Sequence, residues 1–350
     1  MLFEPIKIKD LTIKNRIVMS SMCMYSSSDG FPTDWHKIHY GSRAAGGAGL
    51  IMSEAAAVEP RGRISPYDLG LWKDEHIAGL KNLVDICHDF GSKVGVQLAH
   101  AGRKAESYGP WERRGAETKG STEAIAPSAI PFGQNWHTPN EMSVDDIENV
   151  KTSFLNAVKR AVKVGFDIIE IHAAHGYLLN QFLSPISNIR EDSYGGSFEN
   201  RQRLLLEIVK EAKNLIPNST PLFVRLSCVD YVQGGVTIED TVKIAKNLKD
   251  FGVDVIDCSS GGIAEEETRE EFPCFQCSFA EKIKSETGVM TMAVGAITEY
   301  DQAENILKNK QADLVAFGRK FLRNPYFPTQ WAKEKGIDFE VPLQYKRGWM

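Results

Sequence analysis

Short apolar runs alternate with longer amphipathic stretches along almost the whole chain. Eight runs predict strands: RIVMSSM (16–22), GLIMSEAAA (49–57), KVGVQL (93–98), FDIIEIHA (166–173), PLFVRLS (221–227), VDVIDCS (253–259), VMTMAVG (289–295) and DLVAFG (313–318). Helix patterns lie between them. SVDDIENVKTSFLNAVKRAVKVG (143–165) starts at Ser143 with an aspartate three positions on, and TIEDTVKIAKNLKDFG (237–252) ends on a glycine, the signals of a capped start and a left-handed stop. A strand–helix alternation of this kind favours parallel strands. A length of 350 residues suits two average domains or one barrel. Eight units with no Pro/Ser-rich linker decide for one α/β domain over 1–350, a single (β/α)8 TIM barrel.

Two segments stand outside the repeat. Residues 105–140 form a polar insertion after the third strand, in which Pro110 and Trp111 suggest an ordered cap, and residues 326–350 form a C-terminal arm ending QYKRGWM. Excursions after barrel strands sit on the C-terminal face, where active sites of this fold lie.

Polar residues collect where the strands stop: Ser20, Ser21, Cys23 and Tyr25 after the first, Gln97, His100 and Lys104 at the third, His172, His175 and Tyr177 at the fourth. Arg225 lies inside the fifth. Barrel interiors favour Val, Ile and Leu, so a core alone does not explain this set. In EIHAAHGYLLNQFLSP (170–185), strand alternation puts Ile168, Glu170 and His172 on one face and Ile169 and Ile171 on the other. His172 and His175 converge only if the strand stops near Ala173 and the chain turns, which His175-Gly176 permits. The last two units carry SSGG, AVGAIT and AFGRK. Loops after strands seven and eight of such barrels commonly bind phosphate, and Arg319 offers a fixed cationic fork.

Composition narrows the function. With 42% hydrophobic residues, 25% charged residues and a net charge of -5, the chain reads as an ordinary globular protein without the basic footprint of a nucleic-acid binder. The N-terminus lacks the apolar segment of a secretory signal, and AAGGAGLIM is too short to span a bilayer. Six unpatterned cysteines then suggest reduced thiols in a cytoplasm. The C-x-x-C of Cys274 and Cys277 is expected in a loop rather than at a helix start, and so without a role. His36, His39, His76 and His88 fall in helix patterns as surface or packing residues. No third ligand accompanies the His172–His175 pair, and a nearby Arg225 opposes a cation, so no metal is expected.

HAAHGYLLNQFLSPISNIREDSYGGSFENR (172–201) resembles the signature of the Old Yellow Enzyme family, FMN-dependent ene-reductases on a TIM barrel. NRIVMSSMCMYSS, VQLAHAGRKA, FVRLS, AFGRKFLRNP and QYKRGW resemble its further motifs in the same order. Cys23 with Tyr25, and the His/His pair, point to the bacterial-type, cysteine-containing subgroup. Ser21 departs from the proline usual there, and the insertion is longer than in the shortest members.

The resemblance implies an NADPH- or NADH-dependent reduction of activated C=C bonds in enones, enals, nitro compounds or quinones. Ser20, Ser21, Met22, Cys23, Ala55 and Gln97 would line the isoalloxazine and ribityl chain. Arg225 would stand beside N1 and the C2 carbonyl, and Gly295, Gly318 and Arg319 would hold the phosphate. His172 and His175 would donate to the substrate oxygen, flavin N5 would deliver hydride, and Tyr177 would protonate the other carbon. Cys23 would tune the flavin potential, and Tyr25 and Lys104 would contact substrate. Arg347 would reach the neighbouring subunit's site in a homodimer or a tetramer of such dimers. A metal-dependent barrel hydrolase or lyase on the same histidines, and a non-catalytic FMN-binding module, stand as alternatives.

Overall fold

The computed structural model describes residues 1–108, 111 and 123–349. All eight predicted strands form. We label them β1 (Ile17–Met19), β2 (Leu50–Ala57), β3 (Lys93–Ala99), β4 (Ile168–Ala173), β5 (Leu222–Ser227), β6 (Val255–Ser259), β7 (Met290–Ala293) and β8 (Leu314–Phe317). Neighbours pair in parallel around the ring, and β8 to β1 and β1 to β2 close it. The helices of the repeat are α1 (Asp34–Ala45), α2 (His76–His88), α3 (Val144–Val164), α4 (Phe198–Leu215), α5 (Ile238–Asp250), α6 (Cys277–Thr287), α7 (Tyr300–Lys308) and α8 (Phe327–Glu334). No helix of the described residues is long and apolar enough to cross a membrane.

The caps follow the sequence. Ser143 and Asp146 make a reciprocal capping box at the start of α3, and Gly165 ends it at φ 91°. Thr237 and Asp240 do the same for α5. Each such cap is worth about 1 kcal/mol. Strand alternation divides the apolar residues into two bodies. Ile169, Ile171, Val224, Leu226 and Ile256 face outward onto the helices. Ile168, Phe223, Val255, Met292 and Leu314 face inward, where a hairpin of Ile6–Ile8 and Leu11–Ile13 packs Ile6, Ile8 and Ile13 against them. That hairpin was not foreseen, its strands being three residues each.

In the insertion, Ile125–Ala126 pairs with Asn140–Glu141, and Ala105 and Ala124 pack with Ile64 beneath Tyr25 and Tyr177. Trp111 stands edge-on to Tyr25 at 5.8 Å. Residues 109–110 and 112–122 of the expected cap, Pro110 among them, lie outside the described residues. The arm ends in a 3-10 turn, Leu343–Gly348, that buries none of its residues; Leu343 is 81% exposed.

Candidate active site

β4 stops at Ala173, and the chain turns through His175 at φ 58° and Gly176 at φ 70°. The turn is crowded. A side chain on Gly176 would strike the Gly262 carbonyl, and one on Gly262 would strike the His175 backbone, so two glycine turns interlock. Lys104 Nζ fastens them, donating to the carbonyls of His175 (2.9 Å) and Gly262 (3.0 Å). The His175 N–H donates to Ser227 Oγ at 2.8 Å, and His175 Nε2 lies 2.6 Å from Ser259 Oγ. His172, His175 and Tyr177 thereby converge: the His172 ring is 5.2 Å from that of His175 and 5.1 Å from that of Tyr177.

These three share a cavity of about 200 Å³ with Ser21, Cys23, Tyr25, Ala55, Gln97 and Arg225. A second cavity of about 600 Å³ shares Ser21 and Arg225 with it and runs past Ser20, Met22, Gly295, Gly318 and Arg319. Every expected site residue except Lys104 and Arg347 lines one of the two. Lys104 stands one step behind the turn, its ammonium 5.2 Å from the Tyr177 ring. Arg347 is exposed on the terminal turn and lines neither cavity of its own chain.

Burial sets the protonation states. It pushes both histidines well below the usual imidazole range, helped by the charge of Arg225, so both are neutral at neutral pH. The Ala174 N–H donates to His172 Nδ1 at 3.3 Å, so neutral His172 carries its hydrogen on Nε2. Burial likewise pushes Tyr177 and Tyr25 up, and with Asp68 and Glu54 it holds the Cys23 thiol protonated. Lys104 is pushed down to about 7, by burial first and then by Arg103.

Beneath the cavity lies a layer that sequence reasoning missed. Arg225 Nε lies 3.1 Å from Asp257 Oδ2, and its Nη1 donates to Ser20 Oγ at 3.3 Å. Gln97 Nε2 donates to Glu170 Oε1 at 2.8 Å. Burial, then Asp257, pushes Glu170 up to about 8, so Glu170 is protonated; burial raises Asp257 as well, against the lowering charge of Arg225 beside it. On the other flank a register shift in β2 between Met52 and Ala55 accompanies buried Glu54, which accepts from the Met24 N–H (3.0 Å) and the Tyr40 hydroxyl (3.1 Å). His36 Nε2 stands 3.1 Å from the same carboxylate. Glu54 therefore anchors the loop that carries Ser21 to Tyr25. A glutamate every strand–helix pattern tolerates gives no signal of this in sequence; the one available hint was a charge inside a buried run.

The cavities suit a flavin mononucleotide. Ser21 Oγ is buried without a hydrogen-bond partner. A β-carbon on Gly318 would meet only Met22 Sδ, at 3.6 Å, so that glycine leaves space no packing demands. Arg319, Lys320 and Arg323 line the far end, where Glu271 Oε2 accepts from Arg319 at 2.9 Å.

The comparisons agree with this geometry. Residues 1–337 match the NADH:flavin oxidoreductase / NADH oxidase family. The chain is 51% identical over 351 residues to the NADPH dehydrogenase of Geobacillus sp. (strain WCH70), covering 100% of this chain and 98% of that protein. Among solved structures, the Old Yellow Enzyme homologue from Zymomonas mobilis matches with a TM-score of 0.80 and 27% identity, over 97% of this chain and 94% of that one. 2-Naphthoyl-CoA reductase matches with a TM-score of 0.86 and 26% identity over 96% of this chain, which spans about half, 52%, of that longer protein. The chain belongs to the NADH:flavin oxidoreductase / NADH oxidase family, as an FMN-dependent NAD(P)H oxidoreductase of Old Yellow Enzyme type.

Proposed function

We propose that the protein reduces electron-poor C=C bonds of enones, enals, nitro compounds or quinones, with His172 and His175 holding the activating oxygen and Tyr177 supplying the proton. The larger cavity would hold FMN, with Arg225 beside the ring and Gly295, Gly318 and Arg319 around the phosphate. Bound there, FMN would supply the two-electron chemistry that links NAD(P)H to the double bond. The rest falls to the chain. His172 Nε2–H is a fixed donor in a buried, water-poor space, where a preset donor stabilises charge developing on the substrate oxygen. Tyr177 keeps its proton until a strongly basic carbon forms beside it. Lys104, 5.2 Å from its ring, would when protonated offset the negative charge left behind.

Cys23, a protonated thiol in the smaller cavity, would tune the flavin potential, and Tyr25 would close the substrate side. Arg347, exposed on a turn none of whose residues is buried, would complete the pocket of a second copy in a homodimer or a tetramer of dimers. The reaction would take place in the cytoplasm.

The observation carrying this reading is the neutral His172 with its hydrogen on Nε2, 5.1 Å ring to ring from a protonated Tyr177. Under anaerobic conditions NADPH should bleach the flavin absorbance, and cyclohexenone should restore it. His172→Ala and His175→Ala should slow the restoration and spare the bleaching. Restoration at the parent rate in both variants would remove the histidines from the role.

A further inference from the structure

Cys274 and Cys277 do not lie in a featureless loop. Cys277 is the first residue of α6, which corrects the expectation from sequence, and its N–H donates to the Cys274 carbonyl at 2.9 Å. That bond closes a turn in which the first and fourth α-carbons lie within about 7 Å, the span a disulfide bridges. Cys274 sits at φ 63° and is half-buried; Cys277 is buried. Both thiols are free. Phe275 and Gln276, between them, line the larger cavity, and Gln276 Oε1 accepts from Ser260 Oγ at 2.5 Å.

We propose that Cys274 and Cys277 are a thiol–disulfide exchange site for low-molecular-weight disulfides, with Cys274 the attacking sulfur and Cys277 the resolving one. The Cys274 thiolate attacks one sulfur of the disulfide, forms a mixed disulfide and releases one thiolate, which takes up a proton. Cys277 then loses its proton, attacks the Cys274 sulfur and releases the second thiol. The protein gives up two protons and two electrons, and one small disulfide becomes two thiols. The assignment of roles follows from access and from ionisation. The neighbouring Cys277 thiol draws Cys274 down to about 7, whereas Cys277 is pushed up by Cys274 and by burial. Cys258 on β6 and Cys228, just past the end of β5, are fully buried, so no small disulfide reaches them. Because Phe275 and Gln276 form cavity wall, the new bond ties that wall to α6 and slows flavin release.

The experiment treats the holoenzyme with glutathione disulfide, blocks remaining thiols with iodoacetamide and maps peptides by mass. The expected product is a Cys274–Cys277 link, lighter by two hydrogens and reversed by dithiothreitol. Cys277→Ser should instead trap glutathione on Cys274, and Cys274→Ser should carry neither modification. Both cysteines recovered alkylated, or no glutathione trapped in Cys277→Ser, would overturn the proposal. Flavin release, followed by fluorescence on dilution, should be slower from the oxidised parent than from the reduced one, with no difference in Cys274→Ser. Equal rates from a fully linked parent would overturn the coupling to the cavity wall.

Discussion

Along β4 the inward side chains read Ile168, Glu170, His172; along β5 they read Phe223, Arg225, Ser227; along β6, Val255, Asp257, Ser259. Three adjacent strands thus make the same change in the same order, from apolar at the hairpin end, through ionisable, to hydrogen-bonding at the mouth, with Arg225 opposite Asp257 and Glu170 opposite Phe223. The lower layer is held by contact alone, and any apolar group of similar volume serves. The upper layers work differently: each buried polar group needs a partner, and most partners come from another strand. Stability is concentrated below and chemistry above, about two residues apart on one strand.

Substitutions at neighbouring heights on β5 test that division. Phe223→Ala should cost about 3–5 kcal/mol, seen as a large fall in Tm, while folded molecules keep their flavin. Arg225→Met should cost a similar ~3–5 kcal/mol by leaving the Asp257 carboxylate buried without its cation, and should lose flavin as well. Flavin loss of equal extent in both would mean that the layers do not act separately.

At the mouth, Tyr177→Phe should leave Tm nearly unchanged. It should lower kcat/KM for a simple enone about 10²–10⁴-fold and spare a quinone, which needs no proton on carbon. Equal loss for both acceptors would make the tyrosine a packing residue like those below.

On the rim, Glu59 links the two regimes, a half-buried carboxylate bonded by His100 (2.9 Å), Arg61 (2.5 Å) and Ser153 (3.0 Å). Burial alone would raise it, but the His100 and Arg61 bonds prevail and hold it at about 2, below its ordinary 4.5. The unfolded chain therefore binds the proton more readily. The stabilisation is complete above pH 4.5 and is lost as pH falls towards 2. At about 1.4 kcal/mol per unit it is worth up to about 3 kcal/mol. Glu59→Gln should be less stable than the parent at neutral pH and should lose less Tm on acidification; parallel Tm curves would exclude the carboxylate as the cause.

The smallest effect belongs to the far end of the larger cavity. Arg319 is 64% exposed and bonded to Glu271, an exposed pair of the kind worth about 0–1 kcal/mol. Glu271→Gln frees the arginine and should tighten FMN binding by no more than about fivefold, measured by fluorescence titration. Weaker binding would mean that Glu271 positions the arginine rather than competing for it.

The eight strands and the fourth strand's histidines were legible because burial imposes a period of two, and because polar residues at strand ends break an otherwise aliphatic pattern. Glu54, Glu170 and Asp257 were not read as functional. Glu170 and Asp257 have partners set by register between strands, Gln97 beside Glu170 and Arg225 beside Asp257, while Glu54 takes its partners from α1 and the loop after β1, and neither leaves a local mark. The start of α6 was missed for a different reason. Its cap residue, Gln276, makes no side-chain cap bond, so the Ser, Thr, Asp or Asn that announces a helix is absent.

The interlocked turns at Gly176 and Gly262 bear on how the pocket could be redesigned. Any side chain at either position would lever His175 off Ser259, so this wall is a fixed datum against which a substrate is measured. Among the described residues, the part of the site where Tyr25 meets Trp111 edge-on shows no such interlock. Selectivity for larger alkenes should be sought there, by shrinking an aromatic ring, with the glycine side left untouched.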